Sequence, residues 1–232
     1  MQTKAVVITD IVRSSSMQAH ARKQLDEDLQ SLFVQFNQEY EQQLSAVFDT
    51  SLGDEFQAVF SVPEAAVHAV FLTHAWLASQ AKSGPIRVRS AIGIGAVTVE
   101  NSREPRRQDG PAFHTARRLL NHIHDEKQSF GIACNGPAPI VAIANTSFDV
   151  GCRLIDAIVN TWTVSQWEAS YWRWRGLSSR EIATQLGIKP PNVSKRLKGA
   201  SFWAIDAAID GFEAILRDPA LGHAIAEAPE ET

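Results

Sequence analysis

The chain has 232 residues, of which 44% are hydrophobic and 21% charged, a balance typical of a globular protein with one good-sized core and a small second unit. No apolar run approaches the roughly 18 residues of a membrane-spanning helix, and the N-terminus lacks signal-peptide order, so we expect a cytoplasmic protein with no membrane partner. The net charge of −4 excludes a protein that coats nucleic acid over its whole surface, yet residues 161–203 carry seven Lys and Arg against two Asp and Glu.

Hydrophobic periodicity predicts alternating strands and helices over the first 160 residues. In chain order they are a strand at 3–9, a helix at about 15–45, strands at 47–51 and 56–61, a helix from Pro63, a strand at 86–99, a helix from Pro111 to about Asp125, a strand at 130–134 and a helical stretch to about Asn160. This order is typical of a ferredoxin-like α+β fold, with an antiparallel sheet and helices on one face. Gly93 and Gly95 interrupt one strand where a missing side chain lets a backbone or a ligand approach closely.

Two aspartates, Asp10 and Asp54, each follow an apolar strand at a sharp turn. If those strands pair side by side, the two carboxylates and the Ile11 carbonyl form an oxygen site that suits Mg²⁺ or Mn²⁺ carrying a phosphate. Backbone amides at the start of the following helix would receive phosphate oxygens. The predicted nucleotide-binding residues are Arg13, Ser14, Ser15, Ser16, Gly53 and Glu55. The alternative is an ordinary hairpin turn at Asp54 and an ordinary helix start at Asp10.

The helix that begins at Pro111 carries three polar residues spaced four apart, His114, Arg118 and His122, which therefore share one face. Arg118 is thus available to meet negative charge that develops on a phosphate. His114 taken alone has a simpler interpretation, as an ordinary surface or packed histidine.

Four segments in order resemble the catalytic palm of class III nucleotidyl cyclases and diguanylate cyclases: 9–12, 51–56, 87–95 and 109–119. The chain is more closely similar to the SatD family, which looks like this palm followed by a helix-turn-helix. That likeness is carried by Gly-Asp-Glu-Phe-Gln at 53–57 and Asp-Gly-Pro-Ala-Phe-His at 109–114.

The resemblance implies a role for each matching position. Asp10 and Asp54 match the metal aspartates, and Arg118 matches the cyclase arginine that steadies the transition state across a homodimer. His114 stands where cyclases have asparagine, and Thr50 where many have a base-recognising lysine. The catalytic candidates are thus Asp10, Asp54, Arg118 and His114, the metal ligands Asp10, Ile11 and Asp54, and the ligand a nucleoside triphosphate or a cyclic nucleotide.

Residues 161–203 have the pattern of a helix-turn-helix. Capping boxes at Ser165 to Glu168 and Ser178 to Glu181 predict two helix starts, Gly187 a turn, and Pro190 the first position of a third helix. Concentrated positive charge favours double-stranded DNA as the partner, although a bundle used only for packing or protein contacts is the alternative. The predicted DNA-binding residues are Lys189, Asn192, Ser194, Lys195, Arg196 and Lys198.

The predicted organisation is a palm domain at 1–160, a helix-turn-helix domain at 161–203, a C-terminal helix at 204–217 and a flexible acidic tail at 218–232. The function that we expect is a homodimeric, nucleotide-responsive transcriptional regulator. Two alternatives stay open: a nucleotidyl cyclase or oligonucleotide synthase that makes a second messenger, and an inactive palm that serves for dimerisation.

Overall fold

The computed structural model describes residues 3–12, 17–52, 54–80, 86–100 and 102–228. The strands are β1 (Thr3–Ile11), β2 (Leu44–Leu52), β3 (Glu55–Phe60), β4 (Val88–Ala96), β5 (Val99–Glu100), β6 (Gln108–Asp109) and β7 (Phe130–Cys134). The helices are α1 (Ala19–Glu39), α2 (Ala65–Gln80), α3 (Pro111–Asp125), α4 (Pro139–Val159), α5 (Val164–Trp174), α6 (Ser179–Leu186), α7 (Pro190–Gly199), α8 (Phe202–Leu216) and α9 (Pro219–Ala226).

The main sheet has the strand order β2-β3-β1-β4-β7, and β5 pairs with β6 in a separate ribbon. The first four strands are antiparallel neighbours and give the ferredoxin-like arrangement. The prediction of an antiparallel sheet is wrong at β7, which runs parallel to β4. The reason is the helical crossover through α3, since a crossover returns the chain to the sheet in its original direction. The sheet is therefore mixed.

Helices cover both faces of this sheet, so the prediction of helices on one face is also wrong. Ala5 and Val7 of β1 lie in the core that includes α1 and α2, whereas Val6 and Ile8 pack in a second cluster with α3. The strand is apolar on both sides, and an apolar face is stable only when another layer covers it. The apolar run at the start of the chain thus needs two layers of helices.

The C-terminal helices pack directly on α2 rather than standing apart from it. The ring of Trp174 in α5 lies 5.9 Å from the ring of Phe71 in α2, centroid to centroid. Its indole N–H donates to Asp206 of α8 at 3.0 Å, and Trp162 packs against Trp167 with 4.5 Å between ring centroids. The hydrophobic core therefore runs without a break from the sheet into α5 and α8.

The tail predicted to be flexible contains α9, so that prediction is wrong for residues 219–226. Asp218 accepts a hydrogen bond from the backbone N–H of Ala220 at 2.8 Å, and Pro219 occupies the first helical position. Leu221 and Ile225, one turn apart, are buried. An N-cap and one short apolar stripe stabilise this helix despite the acidic composition of the segment.

None of the helices in the described ranges is both long enough and apolar enough to cross a membrane.

A histidine is buried between α2 and the sheet. His74 Nε2 lies 2.9 Å from Ser90 Oγ, which in turn lies 2.8 Å from Thr9 Oγ1. Burial lowers the pKa of His74 from 6.5 to about 3, because no water remains to solvate the charged ring. His74 is therefore neutral in the folded protein.

We expect this histidine to make stability fall on mild acidification. The unfolded chain takes up a proton on His74 below pH 6.5 and the folded chain does not, so the free energy of unfolding decreases as pH falls toward about 3. Between pH 7 and pH 5 the wild type should lose about 2 kcal/mol more than His74→Gln, which keeps a polar group but does not titrate. Urea unfolding at the two pH values measures this difference, and equal losses in the two proteins would contradict it.

Candidate functional site

The site begins where β1 ends. Asp10 lies opposite Glu55 of β3 on one side and opposite Arg89 of β4 on the other. The backbone N–H of Ile11 donates to the carbonyl of Asp54 at 3.3 Å, which ties the end of β1 to the β2–β3 turn. Residues far apart in sequence, Asp10 and Asp54, thus lie at the same end of the sheet.

Two arginines enter this acidic cluster. Arg89 Nη1 lies 3.5 Å from Asp10 Oδ2, and both side chains are largely shielded from solvent. Arg117 of α3 holds Glu55 with two hydrogen bonds, 2.5 Å from Nη1 to Oε2 and 2.7 Å from Nη2 to Oε1. Gln57 donates a further hydrogen bond to Glu55 Oε1 at 3.0 Å. Because these three hydrogen bonds from two residues hold Glu55, we take Asp10 and Asp54 as the candidate ligands of an added cation.

The electrostatics of Asp10 favour an added positive charge. Burial raises the pKa of its carboxyl group, and the nearby charges of Asp54 and Glu55 raise it further. Arg89 and His124 act in the opposite direction, yet the net pKa remains raised. An ionised Asp10 is therefore costly in the free protein, and either a proton or a cation would stabilise it.

The donor set fits one kind of metal ion better than others. In the part of the chain that the structure describes, no three His, Cys, Asp or Glu side chains are placed to hold a metal together. Two carboxylates and a backbone carbonyl are too few for a closed protein site. They fit Mg²⁺, which keeps several waters and is commonly bound through one or two carboxylates plus ligand phosphates.

Not every predicted catalytic residue lies near this cluster. His114 stands at the start of α3, where its Nε2 lies 3.2 Å from Asp109 Oδ1. That end of α3 packs over Gly93, which pairs with Val6, four residues and therefore about 13 Å along β1 from Asp10. Within one chain, His114 and Asp10 are thus not brought together.

Arg118 is exposed on α3, while its neighbour Arg117 makes the contact with Glu55. Successive residues of a helix point about 100° apart, so the two arginines face different directions.

Arg89 and Arg117 were not among the site residues predicted from the sequence. A signal for Arg89 was present in the alternation of Arg87 and Arg89, which puts both on one face of β4. Five predicted nucleotide-binding residues, Arg13, Ser14, Ser15, Ser16 and Gly53, lie outside the described residues.

A small groove of about 240 Å³ adjoins the cluster on the α1 side. Its walls include Ile11, Thr50, Asp54 and Glu55, with Asp26 and Gln30 contributed by α1. Thr50, which stands at the base-recognising position of the resemblance, therefore lines the same groove as the candidate metal ligand Asp54.

The helices α5 to α7 follow in the predicted order, with one correction to the predicted capping. The first capping box is Thr163 with Gln166, and not Ser165 with Glu168, because the chain enters α5 two residues earlier than predicted. The second box, Ser178 with Glu181, is confirmed. Gly187 has φ of +64°, a left-handed conformation that ends α6 and turns the chain toward α7.

The two faces of α7 differ in chemistry. Val193 and Leu197 are buried against the bundle. Arg196 is turned toward α5, with its Nη1 3.1 Å from Glu168 Oε2. The other predicted DNA-binding residues, Lys189, Asn192, Ser194, Lys195 and Lys198, are exposed. The exposed face is therefore basic and polar, whereas Arg196 holds the bundle together.

Comparison with known proteins gives one family. No protein with a curated description matches the chain. Among solved structures, the adenylyl cyclase CyaB from P. aeruginosa is similar at 20% identity, over 52% of this chain and 71% of that one, with a TM-score of 0.39. A bacterial light-regulated adenylyl cyclase is similar at 15% identity, over 56% of this chain and 75% of that one, with a TM-score of 0.41. The model of the SatD family matches residues 5–205, and this chain therefore belongs to the SatD family.

Proposed function

We propose that this protein binds a nucleotide with a divalent cation at the Asp10–Asp54 end of the sheet and couples that binding to DNA recognition by α7, as a nucleotide-responsive transcriptional regulator. The observation that carries the first half is the acidic cluster at the end of β1. Asp10 is a partly buried carboxylate whose pKa is raised by burial and by two neighbouring acids, so added positive charge would stabilise its ionised form.

Asp10, Asp54 and the Ile11 carbonyl would hold the ion, Mg²⁺ or Mn²⁺. When bound, such an ion neutralises charge on phosphate oxygens and fixes their position. Arg89 pairs with Asp10 through one carboxylate oxygen, so Asp10 would be shared between the guanidinium and the ion. Arg117 keeps Glu55 in place, so Glu55 would not be a ligand of the ion.

The second half of the proposal rests on the exposed face of α7. Asn192 can contact adenine edges in the major groove, while Lys189, Lys195 and Lys198 can neutralise DNA phosphates. A homodimer would present two such helices, and it would also let the exposed Arg118 of one subunit approach a nucleotide held by the other.

Binding and turnover are measured in one experiment. The protein is incubated with each of the four ribonucleoside triphosphates and Mn²⁺, bound nucleotide is quantified by equilibrium dialysis, and products are separated by chromatography. Retained binding without product supports a sensor, whereas a cyclic or oligomeric product supports the nucleotidyl cyclase alternative. Absence of binding by any of the four, with a dimer still present in solution, leaves the palm as a dimerisation module.

Coupling between the two halves has its own test. If nucleotide changes the affinity for DNA by some factor, DNA must change the affinity for nucleotide by the same factor. Fluorescence anisotropy with a labelled duplex selected from a random pool, with and without nucleotide, gives the first factor, and dialysis gives the second. Independent binding of the two ligands would remove the regulatory part of the proposal.

Replacement of Lys195 tests the DNA-binding face. We expect Lys195→Ala to weaken binding to all DNA sequences by a similar amount, and to reduce the slope of log affinity against log salt by about one. Lys23→Ala is the matched control, since Lys23 is an exposed lysine on α1. An identical salt slope in Lys195→Ala and the wild type, or DNA association that is insensitive to salt, would count against DNA binding by α7.

A further inference from the structure

A groove of about 620 Å³ lies at the edge where β1 ends and β4 and β7 begin. Its polar lining comes from Arg87, Arg89, Lys127, Gln128, Ser129 and Asn160, above a floor of apolar side chains. Three of these residues are cationic, and none of the described residues that line the groove is acidic. A groove of this size is within the range of small-molecule sites, and its charge selects an anion.

Gln128 gives the groove a donor without an acceptor. The residue is only 7% exposed, and its side-chain Nε2 has no hydrogen-bond partner among the described residues. Buried polar groups are nearly always satisfied, so the unpaired amide of this groove-lining residue favours an acceptor supplied by a ligand, which the side chain would meet by turning into the groove.

The backbone fixes these groups where α3 meets β7. Lys127 has φ of +58°, a left-handed conformation that stops α3. The backbone N–H of Gln128 then donates to the carbonyl of Ile123 at 2.8 Å. The backbone at Lys127 and Gln128 is therefore held in a defined turn, which fixes where their side chains leave the main chain.

Arg89 connects the groove to the acidic cluster, because it lines the groove and also pairs with Asp10. We propose that this groove binds the phosphate chain of the nucleotide, which runs from the ion at Asp10 and Asp54 past Arg89 to Lys127, Gln128 and Arg87. The inference rests on the proposed function, and it makes the ligand a nucleoside di- or triphosphate rather than a cyclic nucleotide. Amide and guanidinium donors suit phosphate oxygens, and none of the described residues that line the groove carries a carboxylate to repel them.

The test uses inorganic triphosphate alone, in EDTA, so that neither a base nor a metal ion contributes. Calorimetric titration of the full chain should show binding that weakens by about tenfold in Gln128→Leu and in Lys127→Met, since each removes one donor to a charged group. Lys23→Met, which changes an exposed lysine outside the groove, should bind as the wild type does. Circular dichroism identifies any variant that does not fold, and Lys127→Met is the safer variant because Lys127 is exposed.

Three further results separate this site from the nucleotide hypothesis. Displacement of inorganic triphosphate by a nucleoside triphosphate, but not by a nucleoside or a cyclic nucleotide, supports the phosphate chain. Failure of inorganic triphosphate to bind the wild type, or equal affinity in the wild type and both variants, overturns the site. Triphosphate binding that depends on Gln128, together with no Mn²⁺-dependent nucleotide binding, supports the groove and rejects only the proposed function.

Discussion

Alanine at position 93 is expected to destabilise the protein by about 3 kcal/mol or more, the upper end of the range for overpacked cores. A Cβ atom on Gly93 would lie 2.3 Å from the carbonyl oxygen of Ala112 and 2.4 Å from the amide nitrogen of Ala116. Both are backbone atoms of α3, so no side-chain rotation can relieve the clash. The helix would have to move off β4, and with it Arg117, which holds Glu55.

Chemical denaturation of Gly93→Ala measures this effect. The matched control is Gly211→Ala in the middle of α8, where an added Cβ meets nothing within 4 Å. That substitution should raise the free energy of unfolding by about 1 kcal/mol, because alanine has the higher helix propensity. If Gly93→Ala lowered the free energy of unfolding by less than about 1 kcal/mol, α3 would not lie as close to β4 as described.

The sequence was most informative where backbone conformation depends on one residue. Gly93 was expected to allow a close approach, and the approaching group is the backbone of α3. Gly187 was expected to turn the chain, and it adopts a left-handed conformation. Glycine signals of this kind are local, since they report the space or the dihedral angle needed at one position.

Long-range arrangement was harder to predict. The direction of β7 depends on the route of the crossover through α3, which no local pattern specifies. The helix α9 was missed because its buried stripe is only two residues long, Leu221 and Ile225, within an acidic segment. The prediction rested on residue composition, whereas the N-cap at Asp218 is a local signal for a helix start.

The candidate site also has local features that the sequence predicts and long-range contacts that it does not. Apolar runs that end in polar residues are visible in the sequence, and they predict that Asp10 and Asp54 lie near strand ends; the sharp turn expected at Asp10 is wrong, because Asp10 lies within β1. Arg117 and Arg118 are adjacent, and the rotation of α3 on the sheet brings Arg117 to Glu55. Helix rotation is set by the packing of Ala112 and Ala116 over Gly93, a tertiary contact that periodicity alone does not locate.

Replacement of Asp54 by asparagine should abolish the effect of Mn²⁺ on nucleotide binding. Removal of one carboxylate from a site with two should weaken the metal-dependent affinity by at least about 100-fold, since even residues that only support metal ligands cost 10 to 100-fold when they are lost. Equilibrium dialysis in Mn²⁺ and in EDTA isolates this part of the affinity. Asp28→Asn is the control, because Asp28 is an exposed carboxylate on α1 that accepts a hydrogen bond from Gln24.

The same substitution should change the titration of Asp10 in the absence of metal. After burial, the charge of Asp54 makes the largest contribution to the raised pKa of Asp10. Asp54→Asn should therefore lower that pKa toward its ordinary value. In the wild type, Mn²⁺-dependent binding should weaken on acidification at a higher pH than for an ordinary aspartate, because the proton and the ion compete for one carboxylate. Carboxyl NMR of Asp10 measures the titration, with diamagnetic Mg²⁺ as the added ion. A pKa of Asp10 that is the same with asparagine at 54 would mean that the two side chains are too far apart to share one ion.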